Sequence, residues 1–203
     1  MGSSPLTDPL WESGGDGATP LSPEDLEHLV PKHITLRREL NEAEAAGISR
    51  ADLWAFRRRR ELPTLLDPAF ICGLHKRMLG GVWTWAGSYR TRDTNIRVAH
   101  QEIRAELRKL VDDADYWFKN DIFPVDEAAV RFHHRLVWIQ PFPNGNGRLS
   151  RLMGDLVVVA QGRDRFSWAA RSLNENARRL YLEAMRAADK GDFEALLVFA
   201  RTP

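Results

Sequence analysis

Gln140-Pro141-Phe142-Pro143-Asn144-Gly145-Asn146-Gly147-Arg148-Leu149-Ser150-Arg151 is the stretch around which this chain is organised. Its two prolines stop any helix that precedes them, because neither ring can continue the backbone hydrogen-bond ladder. The two glycines admit positive φ, so consecutive N–H groups can turn toward one anion. A helix that starts directly afterwards adds its unpaired N–H groups and the positive end of its dipole. Arg148 and Arg151 then stand one turn apart, with guanidinium groups that fork onto phosphate oxygens. Asn-Gly is also a hairpin signal, but the flanks here have helical spacing instead of alternation. Spacing alone leaves two readings open: a phosphate cradle, and a plain glycine-containing helix corner.

Outward from this stretch the apolar residues recur with helical spacing. Ala129, Phe132, Leu136 and Ile139 lead into it, and Leu149, Leu152, Met153, Leu156, Val157 and Ala160 lead out. Ile103, Leu107, Leu110, Ala114 and Trp117 mark an earlier helix. Ala177, Leu180, Tyr181, Ala184 and Ala188 mark a later one that ends at Gly191, and Phe193, Leu196, Leu197 and Ala200 close the chain. Near the N-terminus, Ser22-Pro23-Glu24-Asp25 has the residues of a helix start. Ile34 to Ala46 reads as a helix stopped by Gly47, another runs from Ser49 to before Pro63, and Asp67-Pro68 opens one that reaches Gly80-Gly81. Trp83 to His100 breaks the pattern with short alternation and a turn-like Asp93-Thr94-Asn95, which predicts a β-hairpin lying as a flap over the rest. The expected fold is all-α, a helical bundle with one β-hairpin flap. Its parts are a Gly/Ser/Pro-rich disordered tail (1–20), N-terminal helices (21–66) and a core domain (67–203).

Composition narrows the function classes. At 203 residues and a net charge of +1, the chain lacks the basic excess of a general nucleic-acid binder, so nucleic acid is an unlikely partner. The run Arg57-Arg58-Arg59-Arg60 sits beside Trp54 and Phe56 and reads as a solvated basic face on a half-buried helix. Cys72, the one cysteine, rules out an intrachain disulfide and reads as a small core residue beside Phe70 and Leu74. No apolar run approaches the roughly 20 residues that span a bilayer, and no signal pattern opens the chain; the expectation is a cytoplasmic protein without a membrane partner. His75 and His100 show no zinc spacing.

The stretch resembles the signature of the Fic-domain family, His-Pro-Phe-x-(Asp/Glu)-Gly-Asn-Gly-Arg-x-x-Arg. Pro141, Phe142, Gly145, Asn146, Gly147, Arg148 and Arg151 match; Gln140 and Asn144 depart. Trp85-Ala86-Gly87-Ser88-Tyr89-Arg90 through Val98 is similar to the family's flap, and Tyr181-Leu182-Glu183-Ala184 to Gly191-Asp192 to its C-terminal part. The likeness covers about residues 67 to 200 and is greatest to small bacterial Fic proteins of the mobile mystery protein B type, in which a helix like Phe132 to Ile139 enters the loop.

That resemblance implies a protein adenylyltransferase, which moves AMP from ATP to a Ser, Thr or Tyr hydroxyl of a target protein, with Mg²⁺. The backbone of Asn144, Gly145, Asn146 and Gly147, with Arg148 and Arg151, would hold the phosphates. Ser88, Tyr89, Arg90, Thr91, Asn95 and Ile96 would form the target-aligning flap, and Asn176 and Tyr181 would lie near the base. Gln140 stands where the family has its catalytic histidine. It can hydrogen-bond a hydroxyl but cannot accept its proton near neutral pH, which typically costs about 10²- to 10⁴-fold in rate. The implied framework is therefore impaired, or the chain is a nucleotide-binding pseudoenzyme. His133, about 10 Å back along the helix, is not placed to substitute. Asn144 replaces the family's metal-binding acid and would offer Mg²⁺ only an uncharged oxygen. Thr35-Leu36-Arg37-Arg38-Glu39 is similar to the family's inhibitory helix motif, which implies autoinhibition by a Glu39–Arg151 pair. A helix-turn-helix partner protein is a further implication of the same likeness.

Overall fold

The computed structural model describes residue 10 and residues 23–93, 98–169 and 175–202. Within them the chain is helical: α1 (Pro23–Glu27), α2 (Arg37–Phe56), α3 (Leu62–Leu65), α4 (Pro68–Leu79), α5 (Ile103–Lys119), α6 (Val125–Ile139), α7 (Asn146–Ala160), α8 (Glu175–Ala188) and α9 (Glu194–Arg201). Most of the apolar residues read as helix stripes face inward, with Leu180 an exception at 44% exposure. Phe132, Ile139, Leu149, Met153 and Val157 are all at 0% exposure and seat α6 and α7 against each other at the centre. α5 packs on α6, α2 on α4, and α9 on both α6 and α8. Asp67 starts α4 as its sequence implies, accepting a hydrogen bond from the amide of Ala69 at 2.8 Å.

Two expectations fail for identifiable reasons. Gly47 does not end a helix; α2 runs through it unbroken from Arg37 to Phe56. A Cβ at this position would stand 2.3 Å from the carbonyl oxygen of Met78, so the glycine is there for the close crossing of α2 over α4. The β-hairpin flap is not formed among the described residues. Residues 83–93 run as turns and irregular backbone, and one isolated bridge joins Trp83 to Leu29. Arg90 donates its backbone N–H to the carbonyl of Pro141 at 2.9 Å, so the segment bonds the loop instead of a second strand. Asn95 and Ile96 lie outside the described residues, as does the expected tail apart from residue 10.

Candidate functional site

The loop between α6 and α7 is closed by its own side chains. Asn146 Oδ1 accepts from the Phe142 N–H at 3.0 Å while its Nδ2 donates to the Phe142 carbonyl at 2.7 Å, imitating a paired peptide across the turn. Gly145 takes φ +78, where a Cβ would meet Leu79 at 2.6 Å; Gly147 is helical, so only the first glycine serves a left-handed turn. Leu149 makes the first hydrogen bond of α7, to the carbonyl of Gly145. The amides of Asn146, Gly147 and Arg148 precede it and bond to no acceptor among the described residues. A Cβ on Gly147 would lie 4.0 Å from an Arg151 guanidinium nitrogen, which places that cation beside the open amides. The three leading N–H groups of α7 and a guanidinium thus stand side by side.

His75 of α4 holds this loop to the segment before it, and reading the sequence for zinc spacing missed it. The amide of Gly87 donates to Nδ1 at 2.9 Å, so that nitrogen carries a lone pair and Nε2 carries the proton. Nε2 then donates to the carbonyl of Asn144, also at 2.9 Å. The ring is fully buried and stacks on Phe142 with centroids 3.9 Å apart and planes 7° apart. Burial holds its pKa down at about 4, so it stays neutral in this role. Gly87 reaches it because φ is +86 and a Cβ would strike Lys76 and the Cys72 carbonyl. The aromatic stack continues from His75 to Trp85 and Trp83 on one side, and from Phe142 to Tyr89 on the other. Arg90 closes the other edge. Its Nε donates to the carbonyl of Gln140 at 2.9 Å, with further bonds to the carbonyls of Arg92 and Val98. Cys72 is half-buried and packs against the core, with Tyr89 close to its thiol.

The two loop arginines differ. Arg148 donates to Glu44 at 2.7 Å, and Glu44 is almost fully buried with its other oxygen accepting from Trp83 Nε1, also at 2.7 Å. Arg151 has no carboxylate within ion-pair distance among the described residues and lies 5.4 Å from the ring of Tyr181. The hydroxyl of Tyr181 meets His133 Nε2 at 3.2 Å. His133 is fully buried, its pKa driven down to about 3 by desolvation and then by Arg151, so it packs the site and is not free to take a proton. A cavity of about 180 Å³ opens beside Arg148, Arg151 and Tyr181, with Ile48, Asp52, Asp155 and Trp168 in its walls.

Three residues given site roles in the sequence have their side chains engaged elsewhere. Glu39 does not approach Arg151; it is exposed and accepts from the amides of Thr35 and Leu36, both at 3.2 Å, capping its own helix. The acid that reaches a loop arginine comes from the same helix five residues on, as Glu44. Asn176 bonds Arg179 on its own exposed helix face and does not join the loop. Asn144 Oδ1 accepts from the Gly145 N–H at 2.6 Å and its carbonyl accepts from His75, so it does not fit as a metal ligand. Among the described residues no group of three His, Cys, Asp or Glu could hold a metal ion. Gln140 ends α6 in the left-handed region at φ 46, its carbonyl held by Arg90.

Residues 65–158 match the family model described as Fic/DOC family. The chain is 28% identical to the protein adenylyltransferase fic-1 of Caenorhabditis elegans over 131 residues, which is 60% of this chain and 24% of that protein. It is 28% identical over 134 residues to the protein adenylyltransferase Fic of Drosophila mojavensis, covering 64% of this chain and 26% of that one. The chain thus spans about a quarter of the length of the curated relatives it matches. Among solved structures it is similar to the BepC protein of Bartonella tribocorum with bound AMPPNP, at a TM-score of 0.66 and 17% identity over 83% of this chain and 88% of that one. It is similar also to Fic-1 of C. elegans, at a TM-score of 0.64 and 22% identity over 89% of this chain and 54% of that one. These structural likenesses concern the fold. No described helix is long and apolar enough to cross a membrane.

Proposed function

We propose that this chain, whose residues 65–158 are a Fic/DOC-family domain, binds ATP at the head of α7 as the frame of a protein adenylyltransferase whose base is missing. The observation that carries this reading is the convergence of the open amides of Asn146, Gly147 and Arg148 with the Arg151 guanidinium, which no described carboxylate pairs. Phosphate groups at that point would take the three N–H bonds and the charge of Arg151. Positioning and charge stabilisation supply most of the catalysis in transfers of this kind. Relatives named as protein adenylyltransferases support the reaction class and a protein target. A nucleotide substrate is supported by the similar BepC protein, whose structure was solved with bound AMPPNP.

Glu44 modifies this reading. A phosphate reaching Arg148 must displace or share it with a buried carboxylate that Trp83 holds in place. On this reading the residue of α2 that restrains the nucleotide is Glu44, whose contact with Arg148 supports it.

Gln140 carries the second reading, a nucleotide-binding module without transfer. Its side chain can orient a hydroxyl but has no basic nitrogen. Incubation with ATP labelled at the α-phosphate, Mg²⁺ and lysate separates the two. Label on protein with the Gln140→His variant, about 10²- to 10⁴-fold above the chain as it stands, is the expected result. Absence of label from both, with ATP bound by both, and still none when Glu44→Gln is added to Gln140→His, leaves the binding module and sinks the transferase frame.

A further inference from the structure

The run Arg57 to Arg60 is not a simple solvated face. Arg60 folds back on the end of α2, donating to the carbonyls of Trp54, Ala55 and Arg58, and its guanidinium lies 4.3 Å from the Trp54 ring centroid. Arg77 from α4 lies over the same ring at 4.0 Å. Arg59 donates to the carbonyl of Ala160, the last residue of α7, at 2.8 Å. Arg57 and Arg58 are exposed. No described carboxylate pairs with any of these five arginines. Asp52, the last acid of α2, and Asp155, the acid of α7, are both taken by Arg165. The charges acting on Arg60 come from Arg58 and Arg77 and, after burial, lower its pKa further.

Between this cluster and α7 lies a cavity of about 170 Å³. Phe56, Leu156 and Val159 give it apolar walls, and Arg58, Arg59 and Arg60 line it with charge. An apolar hole of about 150 Å³ takes a benzene-sized group. We propose that this hole and its arginines form a docking site for an acidic segment of a partner protein that carries one bulky apolar side chain. The apolar side chain fills the cavity, and flanking Asp or Glu carboxylates pair with Arg58 and Arg59. Nucleic acid fits less well. The Trp54 ring is already covered by Arg60 and Arg77, so it offers no stacking platform, and a net charge of +1 leaves no extended basic track. The site lies at the opposite end of α7 from the phosphate loop, about 20 Å away at 1.5 Å per residue, and does not depend on the nucleotide reading.

The test is fluorescence anisotropy with the full chain and three labelled probes: a peptide with tryptophan between pairs of glutamates, the same peptide with alanine for tryptophan, and a single-stranded oligonucleotide of equal charge. The tryptophan peptide is expected to bind saturably, at least tenfold tighter than either other probe. Arg58→Glu with Arg59→Glu weakens it at least tenfold, and Val159→Trp, which fills the hole without changing charge, does the same; ATP binding is unchanged in both. Equal binding of the two peptides, tighter binding of the oligonucleotide, or full binding by the Val159→Trp protein overturns the proposal. The peptide comparison uses the unaltered chain, so it decides the matter even where a variant does not fold.

Discussion

Glu44 has both oxygens engaged, one by Trp83 and one by Arg148, and is nearly removed from water. Breaking either contact would leave a buried polar partner to be satisfied by something else. Replacing it by glutamine preserves an acceptor for Trp83 and deletes the charge facing Arg148. Glu44→Gln is therefore expected to raise ATP affinity about tenfold, or about 1.4 kcal/mol, in a calorimetric titration. Unchanged affinity would show that nucleotide does not compete with this contact. The motif residue Glu39 and the acid that meets Arg148 lie on the same helix. Glu39 has the spacing, yet Thr35 and Leu36 offer it two free amides close by, and only the packed helix brings Glu44 to Arg148. The loop itself is legible in the sequence, because Gly145, Asn146 and Arg148 have backbone and charge roles that their identities announce. His75 is not, since a lone histidine on an apolar helix face looks the same whether it packs or bridges two backbones.

At the scale of elements, periodicity reports burial and says nothing of how closely two helices approach. That is why α5, α6 and α7 are legible in the sequence while Gly47 looks like a helix end and is not one. A glycine inside a helix costs about 1 kcal/mol relative to alanine, so an unbroken α2 keeps Gly47 for a reason outside its own helix. Met78 supplies it, since its carbonyl occupies the space a Cβ would need. Gly73 in the middle of α4 makes a natural control, because a Cβ added there would meet nothing within 4 Å. Gly73→Ala is expected to stabilise the protein by about 1 kcal/mol, whereas Gly47→Ala destabilises it by about 1–3 kcal/mol as α2 is pushed off α4. Urea unfolding of the two variants checks this, and a stabilised Gly47→Ala protein would refute the close crossing. The expected flap fails for a related reason. Alternation around Tyr89 and Thr91 matches a strand, but Arg90 bonds to residues 140 and 141, and no local pattern reports contacts so distant along the chain.

Across the whole molecule, two neutral histidines sit in the layers that join α4 and α6 to α7. His75, held down at about 4, ties the loop to Gly87, and His133, at about 3, packs under Tyr181 and Arg151. Both values lie below the ordinary 6.5, so the unfolded chain binds protons that the folded chain refuses. Their contribution to stability is complete above about pH 7 and is lost as pH falls from 6.5 toward 4 and 3. Each histidine removes about 1.4 kcal/mol per pH unit in that window, before the bulk of the carboxylates begin to titrate. From pH 7.5 to 5.5 the pair should therefore lower the unfolding free energy by about 3 kcal/mol, measured by urea titration at each pH. A His133→Phe variant should keep only the share due to His75, about half the slope. A stability that is flat across this range would mean that the two rings are protonated or solvated in the folded protein, and the neutral bridge from Gly87 through His75 to Asn144 would fall with it.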